Sequence, residues 1–213
     1  MGRHSRLKGN RLSFHIFTRT NAKKILMKTK ADHRALCAHL LRVLKKYSII
    51  IHAFTPMGNH LHMIIHIHND ADLSKFMCEF KTAYAKYFNK KYNTCGHFWG
   101  ERFSSTIIQD DKHMLTCLRY IDRNPIKAKL VDHPAKWFFG SYATYAYGRK
   151  HPILPITIHP IFLELSANQD RRRQIYQNLV EDDNAVPYNL HGNLYKLQIF
   201  GSIEFVDEVL KRT

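Results

Sequence analysis

Between Ser48 and His68 two apolar, β-branched runs are separated by Pro56-Met57-Gly58-Asn59, and this stretch limits the fold more tightly than any other. Proline and glycine ahead of such a run make a turn into a strand, so Ser48 to Thr55 and His60 to His68 form a hairpin. Side chains alternate along a strand, which places His60 and His62 on one face and Leu61, Met63, Ile65 and Ile67 on the other. The two imidazoles then stand roughly 7 Å apart at their α-carbons, near enough to converge on one ion. Two readings are open here: a metal-binding pair, or half-exposed strand histidines in a chain that holds 15 of them. His66 and His68 extend the same face and read as surface histidines.

The flanking segments supply the rest of a sheet. Arg11 to Thr20 sets Leu12, Phe14 and Ile16 against Ser13 and His15, the period of a strand. Asp32 offers an N-cap to a helix with Leu36, Leu40, Val43, Leu44 and Tyr47 on one side. Asp72 leads a longer helix striped with Leu73, Phe76, Met77, Phe80, Tyr84, Tyr87 and Phe88. Its opposite face carries Lys75, Lys81, Lys86, Lys90 and Lys91, which suits plain solvation or a phosphate contact equally. Phe103 to Ile108 reads as a fourth strand. Asp110 or Asp111 then caps a helix whose core side is Met114, Leu115, Leu118 and Ile121, with His113, Cys117, Tyr120 and Asn124 on a second face. Pro125 is expected to end it, since the residue before proline is pushed out of the α region. Strand, helix, strand, strand, helix, strand, helix predicts an α+β, ferredoxin-like antiparallel sheet with helices on one face and the other free for a ligand.

Beyond Pro125, Trp137, Phe138, Phe139, Tyr142, Tyr145 and Tyr147 form an aromatic cluster expected to fold back on the core. Arg171, Arg172 and Arg173 lead into a short amphipathic helix, and Phe200 to Lys211 suggests a last one. The chain therefore divides into residues 1–148 and a partly helical C-terminal extension, 149–213.

Lys and Arg number 33 against 17 Asp and Glu, a formal charge of +16, while 45% of the residues are apolar. A folded, strongly basic chain points first to nucleic acid. No apolar run approaches the roughly 20 residues that span a bilayer, and Met-Gly-Arg-His-Ser-Arg lacks a signal-peptide core, so a cytoplasmic, nucleoid-associated protein is expected. Cys37, Cys78, Cys95 and Cys117 form no Cys-x-x-Cys pair and suggest neither a zinc ribbon nor a disulfide framework.

Tyr120 is a phenol one helical turn from the amide of Asn124. Packed near His60 and His62, that face would hold a nucleophile, two imidazoles and an oxygen ligand, a set suited to phosphoryl transfer. Attack by tyrosine requires loss of a proton whose ordinary pKa is about 10, so a metal or a base must assist.

These residues resemble a known family. His60-Leu61-His62 is similar to the histidine, bulky apolar, histidine signature of the HUH nucleases, and Met57 to Ile64 resembles its form in one-tyrosine transposases. Arg119 to Pro125 resembles their catalytic helix with its Asn-Pro end. His97-Phe98-Trp99 with Arg102-Phe103, and Trp137 to Tyr145, match in the same order. The nearest branch is the REP-associated tyrosine transposases, and the resemblance spans Arg11 to Gly148.

The resemblance implies a metal-dependent transposase that acts on single-stranded or hairpin DNA, often at REP elements, through a covalent 5′-phosphotyrosine, as monomer or homodimer. By position Tyr120 would be the nucleophile, His60, His62 and Asn124 metal ligands, and Arg102, Arg119, Arg123 and Lys127 DNA contacts. Magnesium is the expected ion, although manganese better suits mixed nitrogen and oxygen ligands. Gly58 departs from the family, which often has proline there. A replication or plasmid-transfer HUH nuclease is a second reading, disfavoured by length. The other class is a catalytically idle, basic protein that binds hairpin DNA or RNA.

Overall fold

A computed structural model describes residues 12–68, 72–182 and 199–200. Ser13–Arg19 form β1, Ile49–Pro56 β2, His60–Ile67 β3 and Ser104–Ile108 β4. They lie side by side in the order β2-β3-β1-β4, every neighbouring pair antiparallel. The short strand Ile199–Phe200, β5, adds a parallel edge beside β4 that the sequence pattern did not suggest. The α+β antiparallel sheet is thus as expected. Because β3 lies inside the sheet, His62 is fixed from both sides, opposite Phe17 of β1 and Thr55 of β2. A one-residue slip would turn Leu61, Met63 and Ile65 out of the core, so the register is strongly specified.

On one face lie α1 (Lys30–Leu44) and α2 (Leu73–Tyr92). Leu36, Leu40, Phe76, Phe80 and Tyr84 are buried with Phe14, Ile16, Leu61, Met63 and Ile65 in a single apolar cluster. Thr29 is the N-cap of α1, and Asp32 closes its capping box from the third helical position. This corrects the expectation of Asp32 as the cap. The Asp32 carboxylate instead receives Lys91 Nζ at 2.6 Å and Tyr92 Oη at 2.8 Å, which ties the start of α1 to the end of α2.

The second face is covered too, contrary to the expectation of helices on one side only. α3 (Asp111–Lys127) crosses it, and α4 (Tyr142–Tyr147), α5 (Pro160–Glu164) and α6 (Gln169–Glu181) pack around α3. The cause is apolar residues on the histidine side of the strands. Ile64 of β3 pairs with Ala53 of β2, and both are buried with Ile108, Met114, Cys117, Leu118 and Ile121. A register shift between Ile51 and Ala53 allows Ala53 to face α3 although its neighbours Ile51 and Phe54 belong to the other core. A bulge is the usual device for re-aiming a side chain in this way.

Pro125 does not end α3, which continues to Lys127. A proline near a helix end sacrifices only one backbone bond, and the bonds from Ala128 N to Asn124 O and from Leu130 N to Pro125 O carry the chain onward. The aromatic cluster does fold back, since Phe139, Tyr142 and Tyr145 are buried. The described residues from 149 to 182 pack on this same body: Thr157 N bonds Ile51 O at 2.9 Å, and Tyr176 and Val180 of α6 are fully buried beside α3. Of the last expected helix, Phe200 lies in β5 and the remainder lies outside the described residues. Among the described residues no helix is long and apolar enough to cross a membrane.

Candidate active site

The seat provided by Ile64 and Ala53 brings the second face of α3 onto the histidines of β3. The Tyr120 ring stands edge-on to His62 with centroids 5.3 Å apart, and edge-on to His15 of β1 at 5.8 Å. His60 and His62 are perpendicular at 5.1 Å. The Asn124 side chain hydrogen-bonds His60 and, through Nδ2, donates to Tyr120 O at 2.8 Å. Tyr120, His60, His62 and Asn124, predicted from two separate stretches, are therefore one cluster. His113 and Cys117, on the same helical stripe, are buried deeper toward the sheet. Tyr120 is 39% exposed, which leaves its phenol open to a macromolecule.

Each histidine of β3 has a partner on its Nδ1. Asn59 Oδ1 holds His60 Nδ1 at 2.6 Å, and His15 Nε2 lies 3.0 Å from His62 Nδ1. Burial is the main reason that all three rings are neutral. It lowers His60 to about 4, with Arg19 assisting and Asn124 opposing. It lowers His15 to about 4, with His113 assisting, and takes His62 well below its usual range, aided by His15, His60 and Arg19. Neutral imidazole is the form that ligates metal.

The cations expected to touch DNA divide into different environments. Lys127 stays in the cluster, its Nζ 5.1 Å from the centre of the Tyr120 ring, and burial followed by Arg123 and Arg119 lowers its pKa. Arg123 is buried, and its Nη1 donates to Val180 O at 2.5 Å. Arg119 donates from Nε to Leu179 O at 2.8 Å and from Nη2 to Asp182 O at 2.5 Å. Both guanidiniums thus satisfy carbonyls at the C-terminal end of α6, which gives Arg119 and Arg123 a structural duty. Arg102 lines a separate groove with Lys81, Lys86 and His97, to which Tyr120, His60 and His62 contribute nothing. His66 is held apart as well, with Nδ1 3.0 Å from Ser13 Oγ and its ring against His68 and His52.

Sequence reasoning missed three residues at the site, His15, Phe17 and Arg19, all on the side of β1 that faces α3. The Phe17 ring lies 4.9 Å from His62, and the Arg19 guanidinium stacks 4.9 Å above Phe17. Strand alternation put His15 on the polar face, but nothing in the sequence shows that β1 pairs with β3.

Among the described residues no group of three or more His, Cys, Asp and Glu could hold a metal. An ion at this site would rest on two imidazoles and one amide. That set nevertheless fits a divalent cation. The Nδ1 atoms are committed to Asn59 and His15, which directs coordination to Nε2, and the Asn124 amide, beside the His60 ring, would be the oxygen donor. So few protein ligands leave coordination positions for substrate oxygens, as catalytic rather than structural sites require.

The family model described as Transposase IS200 like matches residues 8–124, more than half of the chain and a span that ends on Asn124. No curated protein matches. A solved REP-associated tyrosine transposase bound to a REP hairpin is 22% identical, with a TM-score of 0.59, and the alignment covers 73% of this chain and 90% of that one. At that identity the likeness establishes the fold alone. A protein of Deinococcus radiodurans R1 provisionally identified as a transposase aligns at a TM-score of 0.41 and 12% identity, over 61% of this chain and 92% of its own.

Proposed function

Because the chain belongs to the IS200-like transposase family, we propose that it cleaves and rejoins single-stranded DNA through Tyr120, at hairpin-forming repeats of the REP type. One observation carries the reading: an exposed phenol packed edge-on against His62, which stands beside His60 with both rings supported at Nδ1, and with Asn124 one turn away.

Tyr120 Oη attacks the scissile phosphorus as the bond from phosphorus to the 3′ oxygen breaks. The phenolic proton leaves to solvent, the departing 3′ oxygen takes up a proton, and the 5′ phosphate stays esterified to the tyrosine. The ester keeps the energy of the phosphodiester, so a 3′ hydroxyl reverses the step and joins strands with no other energy source. Magnesium or manganese on His60, His62 and Asn124 would supply Lewis-acid polarisation of a phosphate oxygen. Lys127, over the tyrosine ring, favours the phenolate electrostatically. Arg19, whose charge acts on both histidines, adds positive charge on the sheet side of the site and would favour a bound phosphate. His60 and His62 keep their lone pairs because burial disfavours their protonation.

The test uses hairpin oligonucleotides labelled on either side of the cut, with manganese, resolved on denaturing gels. The expected result is a protein band that carries the 3′ fragment, mapped by peptide analysis to Tyr120 and absent from Tyr120→Phe. That variant removes one oxygen from a half-exposed ring, so folding and DNA binding persist. Cleavage surviving in Tyr120→Phe would assign the nucleophile elsewhere. No cleavage of any hairpin by the unaltered protein would favour a binding protein that has lost catalysis.

A further inference from the structure

We propose that His15 is a positioning residue: it holds His62 in the tautomer and orientation in which Nε2 can ligate a divalent cation. The inference rests on the reading of His60, His62 and Asn124 as a metal site.

Its basis is geometric. His15 Nε2 lies 3.0 Å from His62 Nδ1, and the two rings stack with centroids 5.2 Å apart and planes 21° from parallel. Between two neutral imidazoles one nitrogen must donate and the other accept. If His62 gives its Nε2 lone pair to an ion, its Nδ1 carries the proton and donates to His15 Nε2. His15 then carries its own proton on Nδ1. His60 has equivalent support from Asn59, so each ligand ring would be held at Nδ1 by a different residue. A ligating histidine nearly always has such a partner, and loss of the partner weakens metal binding without removing a ligand.

The backbone explains why His15 is the residue that reaches. On β1 its α-carbon pairs with Ile64, and Phe17 is the residue directly opposite His62. His15 therefore leans along the sheet to meet His62 diagonally, a distance long side chains span between antiparallel strands. Its other side meets Tyr120, with centroids 5.8 Å apart. One ring thus touches both the ligand and the nucleophile, and it keeps the spacing between them.

His15→Phe keeps a flat ring and deletes the nitrogen, whereas His15→Gln restores a polar group of similar reach. The measurement is Mn²⁺ alone, titrated into the purified full chain and followed by the electron paramagnetic resonance signal of free ion. A His60→Ala, His62→Ala double variant is the control. The unaltered protein should bind, the double variant should not, and His15→Phe should bind about 10- to 100-fold more weakly, with His15→Gln recovering most of the loss. His15→Phe should still unfold in one cooperative transition, so that weaker Mn²⁺ binding is not loss of the fold. Nitrogen-15 NMR of the metal-free protein should show His62 protonated at Nδ1, a readout that needs no variant to fold. Mn²⁺ affinity unchanged in His15→Phe, or His62 protonated at Nε2, would overturn the role of His15 and leave the metal site standing. Equal Mn²⁺ binding by the unaltered protein and the double variant, or no binding by either, would overturn both.

Discussion

Two arginines on the helix of the proposed nucleophile point away from the chemistry. Arg123 is buried, and Arg119 joins it on the carbonyls of residues 179, 180 and 182. Removing Arg123 would strand Val180 O without its charged donor, so Arg123→Ala should destabilise the protein by about 2 kcal/mol. The dependence of DNA affinity on salt should not change. Lys127→Ala should do the reverse, leaving thermal stability within about 0.5 kcal/mol and lowering the salt slope by about 1. Melting curves beside DNA titrations at several salt concentrations separate the two, and an unshifted midpoint with a reduced slope for Arg123→Ala would return that residue to the DNA surface. At this scale the sequence was informative where a motif is local: His60 and His62 share a strand, and Tyr120 and Asn124 share a helical turn. It was silent on His15, because the contact that gives it meaning joins residues 47 positions apart in the chain. For Arg119 and Arg123 a basic side chain next to a catalytic motif suggested DNA, while the acceptors lay some 60 residues downstream.

At the scale of elements, one carboxylate ties the start of α1 to the end of α2. Asp32 accepts from Lys28 N, Thr29 N, Thr29 Oγ1, Lys91 and Tyr92. Burial opposes its charge, yet the bonds from Lys91, Tyr92 and Thr29 prevail and lower its pKa from 3.8 to about 2. A carboxyl whose pKa is lower in the folded state binds its proton more readily when unfolded. Its contribution is therefore complete above the unfolded value near 3.8 and is lost as pH falls from there through about 2. The amount at stake is about 2 kcal/mol. Urea unfolding at a series of pH values from 6 to 2 should show Asp32→Asn less stable than the unaltered protein at pH 6, with the gap narrowing toward pH 2. A constant gap would mean that the cost lies in packing and not in charge. The elements themselves were legible because their periods are long and regular, as in α2, where Phe76, Phe80, Tyr84 and Phe88 recur every fourth residue and all are buried. The covered second face was less so. Its signal was Ile64 among the histidines and Ala53 behind a bulge, and alternation cannot anticipate a register shift.

For the whole molecule, the excess of 33 basic over 17 acidic side chains is the feature with the longest reach. Part of it is consumed inside the structure. Lys91 is paired with Asp32, Lys46 with Glu79, Arg119 and Arg123 serve α6, and Lys81 donates to Glu101 O. On the basic face of α2 this leaves Lys75, Lys86 and Lys90 exposed to solvent, with Lys86 lining the same groove as Arg102. Such a surface binds phosphates chiefly by releasing counterions, each contributing a slope of about 0.7 on a single strand. A protein that contacts about six phosphates would then show a log–log salt slope near −4. The prediction is steep salt dependence together with preference for a hairpin bearing a single-stranded flank over a blunt duplex of equal length. Duplex carries the denser charge, so electrostatics alone would favour it, and a preference for the flanked hairpin must come from shape at the exposed phenol and its histidines. Filter binding without metal, from about 50 to 200 mM salt, measures both quantities. A flat salt response would remove the basic surface from the account, whereas a steep response with equal or tighter duplex binding would leave a protein drawn to any phosphate backbone and deprive Tyr120 of a presented single strand.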